Sequence, residues 1–190
     1  MRVLLLALVL LNTVAIATEE RLHDRIVYED AASGFRFPQM IAAYELVDMD
    51  DLGPQLGTAI HYSEAEDSKA SVYVYNKGFG NLANGTGDMR LRHEISSIDD
   101  ALAELVRRGE YASVERVDLG PAMSKAWLQV SHDIQLPGGK KLKSYSFMRV
   151  QNGYFVKLRI SGPPESGQAR LPAFLLGASR AIGLLGVAAK

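Results

Sequence analysis

The spacing of hydrophobic residues changes along this chain and divides it into strand-like and helix-like segments. Over roughly the first half, apolar residues occur in short runs between Gly-, Pro- and Asp-containing turns, the pattern of β-strands. Val72-Tyr73-Val74-Tyr75 combines β-branched and aromatic residues, which favour strands. The pattern predicts five strands, at residues 26–28, 35–37, 44–47, 58–62 and 69–76.

The apolar spacing then becomes helical. One stripe about 100° wide contains the residues Leu91, Ile95, Ile98, Leu102, Leu105 and Val106. Charged residues occupy the opposite side, Asp88 is a suitable N-cap, and Gly109 can adopt the left-handed conformation that ends a helix. The pattern predicts a helix over about 88–108.

Four further strands are predicted, at residues 111–119, 124–136, 140–150 and 154–161. Asn152-Gly153 joins the last two, and Asn-Gly favours a two-residue hairpin turn because both central residues need positive φ. That turn pairs Phe147 with Leu158. The face predicted to be buried comprises Tyr145, Phe147, Val156, Leu158 and Ile160, with Lys157 and Arg159 on the other face.

A second helix is predicted over 171–186. Its stripe comprises Leu171, Phe174, Leu175, Ala178, Ile182 and Leu185. The opposite face is also apolar, because Leu176, Leu184 and Val187 flank the single charge of Arg180. That face is either covered by the N-terminal strands or a site for a partner or a lipid surface, and we expect docking with partial exposure. The class is α+β, a curved, mostly antiparallel sheet packed by two helices.

Residues 1–17 have the order of parts of a cleavable signal peptide. Arg2 precedes nine consecutive aliphatic residues, and Ala15-Ile16-Ala17 supplies the small residues that signal peptidase requires. The apolar segment is shorter than the ~20 residues that a membrane span needs. We expect residues 18–190 to form a single α+β domain in the periplasm or outside the cell, with no lipid anchor because no Cys follows the apolar run.

Composition narrows the choice of partners. Without Arg2, 20 basic residues face 22 acidic ones, so the chain lacks the basic excess that nucleic acid demands. The chain has no cysteine, so its stability rests on its core without disulfides.

Several short motifs match functional patterns only in part. Residues 78–83 read G-x-G-x-x-A, but Asn84-Gly85-Thr86-Gly87 follows where a dinucleotide site needs a helix. Residues 177–181 approach a nucleophile elbow, yet Ser179 lies inside a predicted helix. Residues 48–53 begin like a calcium loop, but Leu52 and Ala59 occupy ligand positions. Asn84 also starts a glycosylation sequon, which we expect to be unused in a bacterium.

The four histidines are His23, His61, His93 and His132. None has the helical spacing of a zinc site, and His93 lies on the polar helix face. His61 and His132 are on strands and could meet across the sheet, either as a shared site or as separate hydrogen-bonded residues. Trp127 lies on the strand face opposite Leu128, where a helix could bury it or a cleft could expose it. We assign no catalytic, cofactor-binding or metal-binding residue.

The sequence has two resemblances, of which the first covers most of the mature chain and the second rests on the order of elements alone. The segments that carry the first are Tyr28-x5-Gly34-Phe35-x-Phe37-Pro38, Leu56-Gly57-Thr58-x-Ile60-x-Tyr62, Val72-Tyr73-Val74-Tyr75 and Phe155-Val156-Lys157-Leu158-Arg159. Together they resemble a family of uncharacterised exported bacterial proteins. The order of elements is similar to the PsbP-like fold, an antiparallel sheet sandwiched by helices. PsbP proteins assist photosystem assembly, and the resemblance implies no catalytic motif, so no functional residue is transferred.

These observations favour an exported, non-catalytic domain that binds a protein or a small apolar ligand in the cell envelope, without a cofactor. One alternative is a peripheral envelope protein that uses its C-terminal helix on a membrane surface. The other is a hydrolase whose site is assembled from sheet residues such as His61 and His132.

Export gives the first testable prediction. Mass spectrometry of the protein purified from its source should find a mature chain that begins at Thr18, because cleavage is expected after Ala17. An intact Met1 on most of the folded protein would contradict the assignment.

Overall fold

The computed structural model describes residues 25–64, 68–117 and 125–185, and within these ranges the chain forms ten strands and two helices. The N-terminal strands are β1 (Ile26–Asp30), β2 (Phe35–Pro38), β3 (Met40–Ile41), β4 (Tyr44–Asp51), β5 (Thr58–Glu64) and β6 (Ser68–Tyr75). Then come α1 (Met89–Arg107), β7 (Ser113–Val117), β8 (Leu128–Gln135), β9 (Lys141–Gln151), β10 (Tyr154–Gly162) and α2 (Pro164–Ala181). The expected signal peptide (1–17) and His23 lie outside the described residues.

Eight strands form one antiparallel sheet in the order β3-β4-β5-β6-β10-β9-β8-β7, and β1 and β2 form a separate hairpin. The predicted α+β class and antiparallel sheet are confirmed. The sheet consists of two meanders, β3 to β6 and β7 to β10. They join where β6 pairs with β10.

The hairpin across Asn152-Gly153 has the predicted register, with Tyr154 opposite Gln151 and Phe147 opposite Leu158. All five residues predicted to be buried on this hairpin are at most 1% exposed. They belong to the main core on one side of the sheet, here called the core face, with α2 and the β1–β2 hairpin above it. The opposite side, here called the α1 face, carries α1 over β9 and β7.

Helix α1 confirms the predicted span. Asp88 is its N-cap, and its carboxylate accepts hydrogen bonds from the backbone N–H groups of Arg90 and Ala83 and from the Arg90 guanidinium. The buried side of the helix includes Leu91 and Leu102, and it packs on the α1 face beside Met148 and Phe155.

Helix α2 begins at Pro164, seven residues before the predicted start, and ends at Ala181, before the predicted residue 186. Pro164 suits the first turn of a helix because its fixed φ is helical and its missing N–H is not needed there. Gly183, with φ of 68°, turns the chain out of the helix. The stripe is buried as predicted except for Leu185, which follows the helix and is 41% exposed.

The second side of α2 shows the expected docking with partial exposure. Leu176 is 46% exposed, whereas Leu184 packs against the core. Gly177 lies so close to Ile41 that an added Cβ would be 2.8 Å from the Ile41 Cγ2 atom, which places β3 directly against the helix. Val187 lies outside the described residues. No helix in the described ranges is both long and apolar enough to cross a membrane.

Replacing Phe147 with alanine should lower the free energy of unfolding by ~3–5 kcal/mol, because the ring is 1% exposed and its removal leaves a cavity in the main core. Urea denaturation measures the change. Phe79→Ala is the control, since that ring is 38% exposed and should cost much less. A loss below ~1 kcal/mol for Phe147→Ala would contradict the register.

Asp88 should make stability depend on acid pH. Hydrogen bonds from the Arg90 side chain, followed by the Ala83 N–H, hold the pKa of the Asp88 carboxyl below its usual range. A lowered folded-state pKa stabilises the protein above the usual pKa of about 3.9, and this contribution is lost as pH falls through the folded value.

In thermal melts from pH 6 to pH 2, the difference in Tm between the wild type and Asp88→Asn should therefore shrink as pH falls. Asp100→Asn, an exposed carboxylate on the same helix, is the control and should show a small, flat difference. A pH-independent difference for Asp88→Asn would refute the argument.

Candidate functional site

An open cleft of about 400 Å³ lies between one flank of α1 and the edge strand β7. Ala103 and Val106 of α1 form one wall, and Ala112 and Val114 at β7 form the other. The walls are therefore aliphatic. The α1 walls belong to the helix flank beside the buried stripe, and Val114 faces them from the last strand of the sheet.

Polar side chains close one end of the cleft. The Asp99 carboxylate lies 2.7 Å from His132 Nε2 through one oxygen and accepts from Arg116 Nη1 at 2.5 Å through the other. Strands β7 and β8 place Arg116 directly opposite His132, and α1 brings Asp99 above them. The three side chains thus form one hydrogen-bonded cluster.

Exposure within the cluster is graded. His132 is 1% exposed, and its Nδ1 atom is buried without a hydrogen-bond partner among the described residues. The Asp99 and Arg116 side chains keep 34% and 54% of their surface in contact with solvent. A ligand that enters the cleft therefore meets Asp99 and Arg116, while His132 holds the carboxylate from behind.

Arg116 balances the charge of Asp99, so this pair adds no net charge to the polar end. The cluster can accept and donate hydrogen bonds there while the aliphatic walls exclude water. This combination of apolar walls and a few convergent polar groups is the usual composition of a small-molecule site.

Of the two alternatives for His61 and His132, the structure shows separate hydrogen-bonded residues and not a shared site. His61 is on β5 and His132 on β8, and three strands lie between them, a separation of about 19 Å. The apolar spacing assigned each histidine to a strand. It did not give the order of the strands in the sheet, which depends on the pairing of β6 with β10. His93 is exposed on α1, as predicted.

His61 instead forms a chain with two neighbours on its own side of the sheet. Its Nδ1 atom is 2.9 Å from Ser71 Oγ, and its Nε2 atom is 3.1 Å from Asp50 Oδ2. In this Ser–His–Asp arrangement, His61 could accept a proton from the Ser71 hydroxyl. However, β6 pairs with β5 and β10 along Ser71, so the local backbone N–H groups belong to the sheet ladder. The paired strands therefore offer no two free backbone N–H groups as an oxyanion hole beside Ser71.

The partial motifs behave as structural segments. Residues 78–83 form a loop, and no helix starts before Met89. Ser179 is buried inside α2 rather than at a strand-to-helix turn. The strand predicted over 44–47 continues as β4 to Asp51 and includes the start of the calcium-loop match, because these residues pair with β5. Among the described residues, no three metal-ligating side chains converge.

Trp127 belongs to the core. The indole is 3% exposed, on the face opposite Leu128 as predicted, and the Arg149 guanidinium lies 5.7 Å from its ring centroid. Sequence reasoning missed Asp99 and Arg116, because each is an ordinary charged residue on the polar side of its own element. Only the packing of α1 against β7 gives them a common role.

Comparison with known proteins adds a distant likeness in shape. No protein family and no curated protein matches the sequence. The structure is similar to the solution structure of cyanobacterial PsbP (CyanoP) from Synechocystis sp. PCC 6803, with 17% identity and a TM-score of 0.40. The alignment covers 80% of this chain and 88% of that chain. A likeness this distant assigns no role to any residue.

Proposed function

We propose that the protein is an exported, non-catalytic domain that binds a small ligand in the cleft between α1 and β7. The ligand has an apolar body and one uncharged polar end. The observation that carries the proposal is the meeting of aliphatic walls with the Asp99–His132–Arg116 cluster in a single cleft. The signal-like residues 1–17 support a place outside the cytoplasm.

The aliphatic walls account for affinity. Ala103, Val106, Ala112 and Val114 present carbon to the cleft, and an alkyl or ring body that covers them removes apolar surface from water. Each buried methylene contributes ~0.8 kcal/mol, so a ligand of six to eight carbons supplies useful binding energy. The volume of 400 Å³ is in the range of small-molecule sites.

The polar cluster accounts for selectivity. A charged end on the ligand would meet one like and one opposite charge, so the neutral Asp99–Arg116 pair would not offset the loss of its hydration. A hydroxyl or amide can instead donate to Asp99 and accept from Arg116 without disturbing their ion pair. An uncharged polar end therefore fits best.

The alternative of a membrane-bound C-terminal helix receives less support. Leu171, Phe174, Ala178 and Ile182 are fully buried in the core, so they are committed to the fold. Leu176 alone offers a large exposed apolar side chain on α2 itself. A lipid surface would have to be met mainly by residues outside this helix.

Titration of the ¹⁵N-labelled protein with 1-octanol, followed by amide chemical shifts, tests the proposal. Saturable shifts should concentrate at Ala103, Val106, Ala112 and Val114. Octanoate and octylammonium should bind at least about tenfold more weakly, since each loses the hydration of its charge to a cluster with no net opposite charge.

The matched variants are Ala103→Phe and Ala101→Phe, two exposed positions of the same helix of which only Ala103 lines the cleft. Ala103→Phe should abolish octanol binding, whereas Ala101→Phe should leave it unchanged. Equal affinities of the two variants, or shifts scattered over the sheet, would rule out the cleft as the binding site.

A further inference from the structure

Two cations lie side by side on the α1 face, on the part of the sheet formed by β5, β6 and β10. Lys157 and Arg159 are two positions apart on β10, so both side chains project from the same face, about 7 Å apart along the strand. This region lies on the opposite flank of α1 from the cleft and has no part in the proposed function.

Lys157 is partly buried without a carboxylate partner. Its ammonium lies 4.2 Å from the centroid of the Tyr73 ring, its cross-strand neighbour, and makes no ion pair with any described residue. Burial, followed by the positive charge of Arg159, lowers the pKa of Lys157, and the Glu94 carboxylate opposes part of this shift. The Lys157 ammonium has lost much of its contact with water and lies against the face of the Tyr73 ring. Its binding to an added anion is therefore favourable.

Only one of the three guanidinium nitrogens of Arg159 forms a hydrogen bond within the described ranges. Its Nε atom donates to Ser144 Oγ at 3.1 Å, and Ser144 in turn lies 2.8 Å from Ser161 Oγ. The two terminal nitrogens of the guanidinium form no hydrogen bond or ion pair within the described ranges. The serines therefore hold the side chain in place and leave its outer edge open.

Nearby carboxylates are already engaged. Glu94 accepts from the Tyr75 hydroxyl and from Lys77, and Asp50 faces His61. Neither is hydrogen-bonded to Lys157 or Arg159. Glu94 offsets part of the positive charge of Lys157 at a distance, but no carboxylate in the described ranges forms an ion pair with either cation.

We propose that Lys157 and Arg159 form a binding site for a tetrahedral oxyanion, the phosphate group of a small solute. A guanidinium edge matches two oxygens of such a group, and an ammonium matches a third as a point charge. A carboxylate has only two oxygens and would use Arg159 alone. Sulfate shares the tetrahedral geometry and is the natural comparison.

The test is a titration of the ¹⁵N-labelled chain with sodium phosphate at constant ionic strength, with parallel titrations of sulfate and acetate. Saturable amide shifts should appear on β6 and β10, around Ser71, Tyr73, Lys157 and Arg159. Phosphate should bind more tightly than acetate by about tenfold, since acetate forfeits the contact with Lys157.

Five variants sharpen the result. Lys157→Met and Arg159→Gln should each weaken phosphate binding about tenfold or more. The matched controls are Lys141→Met on an exposed strand end and Arg36→Gln on the β1–β2 hairpin, and both should bind like the wild type. Thermal melts confirm that each variant is folded, and Arg159→Lys, which keeps the charge but loses the fork, should bind with intermediate affinity.

The outcomes separate cleanly. Localised phosphate and sulfate binding that both β10 variants weaken supports the site. Absence of saturable shifts, acetate binding as tight as phosphate binding, or an Arg159→Gln variant that binds like Arg36→Gln overturns it.

Discussion

The pairing of β6 with β10 is the interaction on which the rest of the structure depends. It joins two meanders that are each held together by short local connections. Its register sets Val72 beside Leu158 and Val74 beside Val156, which makes the core continuous across the sheet. A shift of one residue would exchange the two faces of β10 and place Lys157 in the core. Burial of these side chains on the core face, together with Phe155 and Tyr75 on the α1 face, therefore specifies the register.

The two faces of the sheet are treated differently by the helices. On the core face, α2 and the β1–β2 hairpin cover a mainly apolar surface. On the α1 face, the width of one helix is much smaller than the width of the eight-stranded sheet, so α1 leaves part of the sheet uncovered. One uncovered margin becomes the aliphatic cleft beside β7, and the other exposes the cations of β10. Both proposed binding sites lie where the helix leaves the sheet uncovered.

Local pattern was sufficient for the elements and insufficient for their assembly. Asn152-Gly153 and the alternation around Phe147 determined a hairpin, because a two-residue turn leaves one register. Helix α2 began earlier than its stripe suggested, since Pro164 can start a helix without any apolar signal. The distance between His61 and His132 depended on strand order, which no local spacing encodes. Asp99 acquired its partners only through packing between α1 and β7.

The contact of Gly177 with Ile41 has a consequence for the timing of folding. Strands β2 and β3 pack against α2, which follows them by more than 120 residues. Strand β6 likewise pairs with β10, which is synthesised much later. Such separations in sequence make loop closure slow and leave early segments without partners during synthesis. The core is incomplete until β10 and α2 have been synthesised. A polypeptide of this kind stays unfolded for longer than one whose N-terminal half folds by itself.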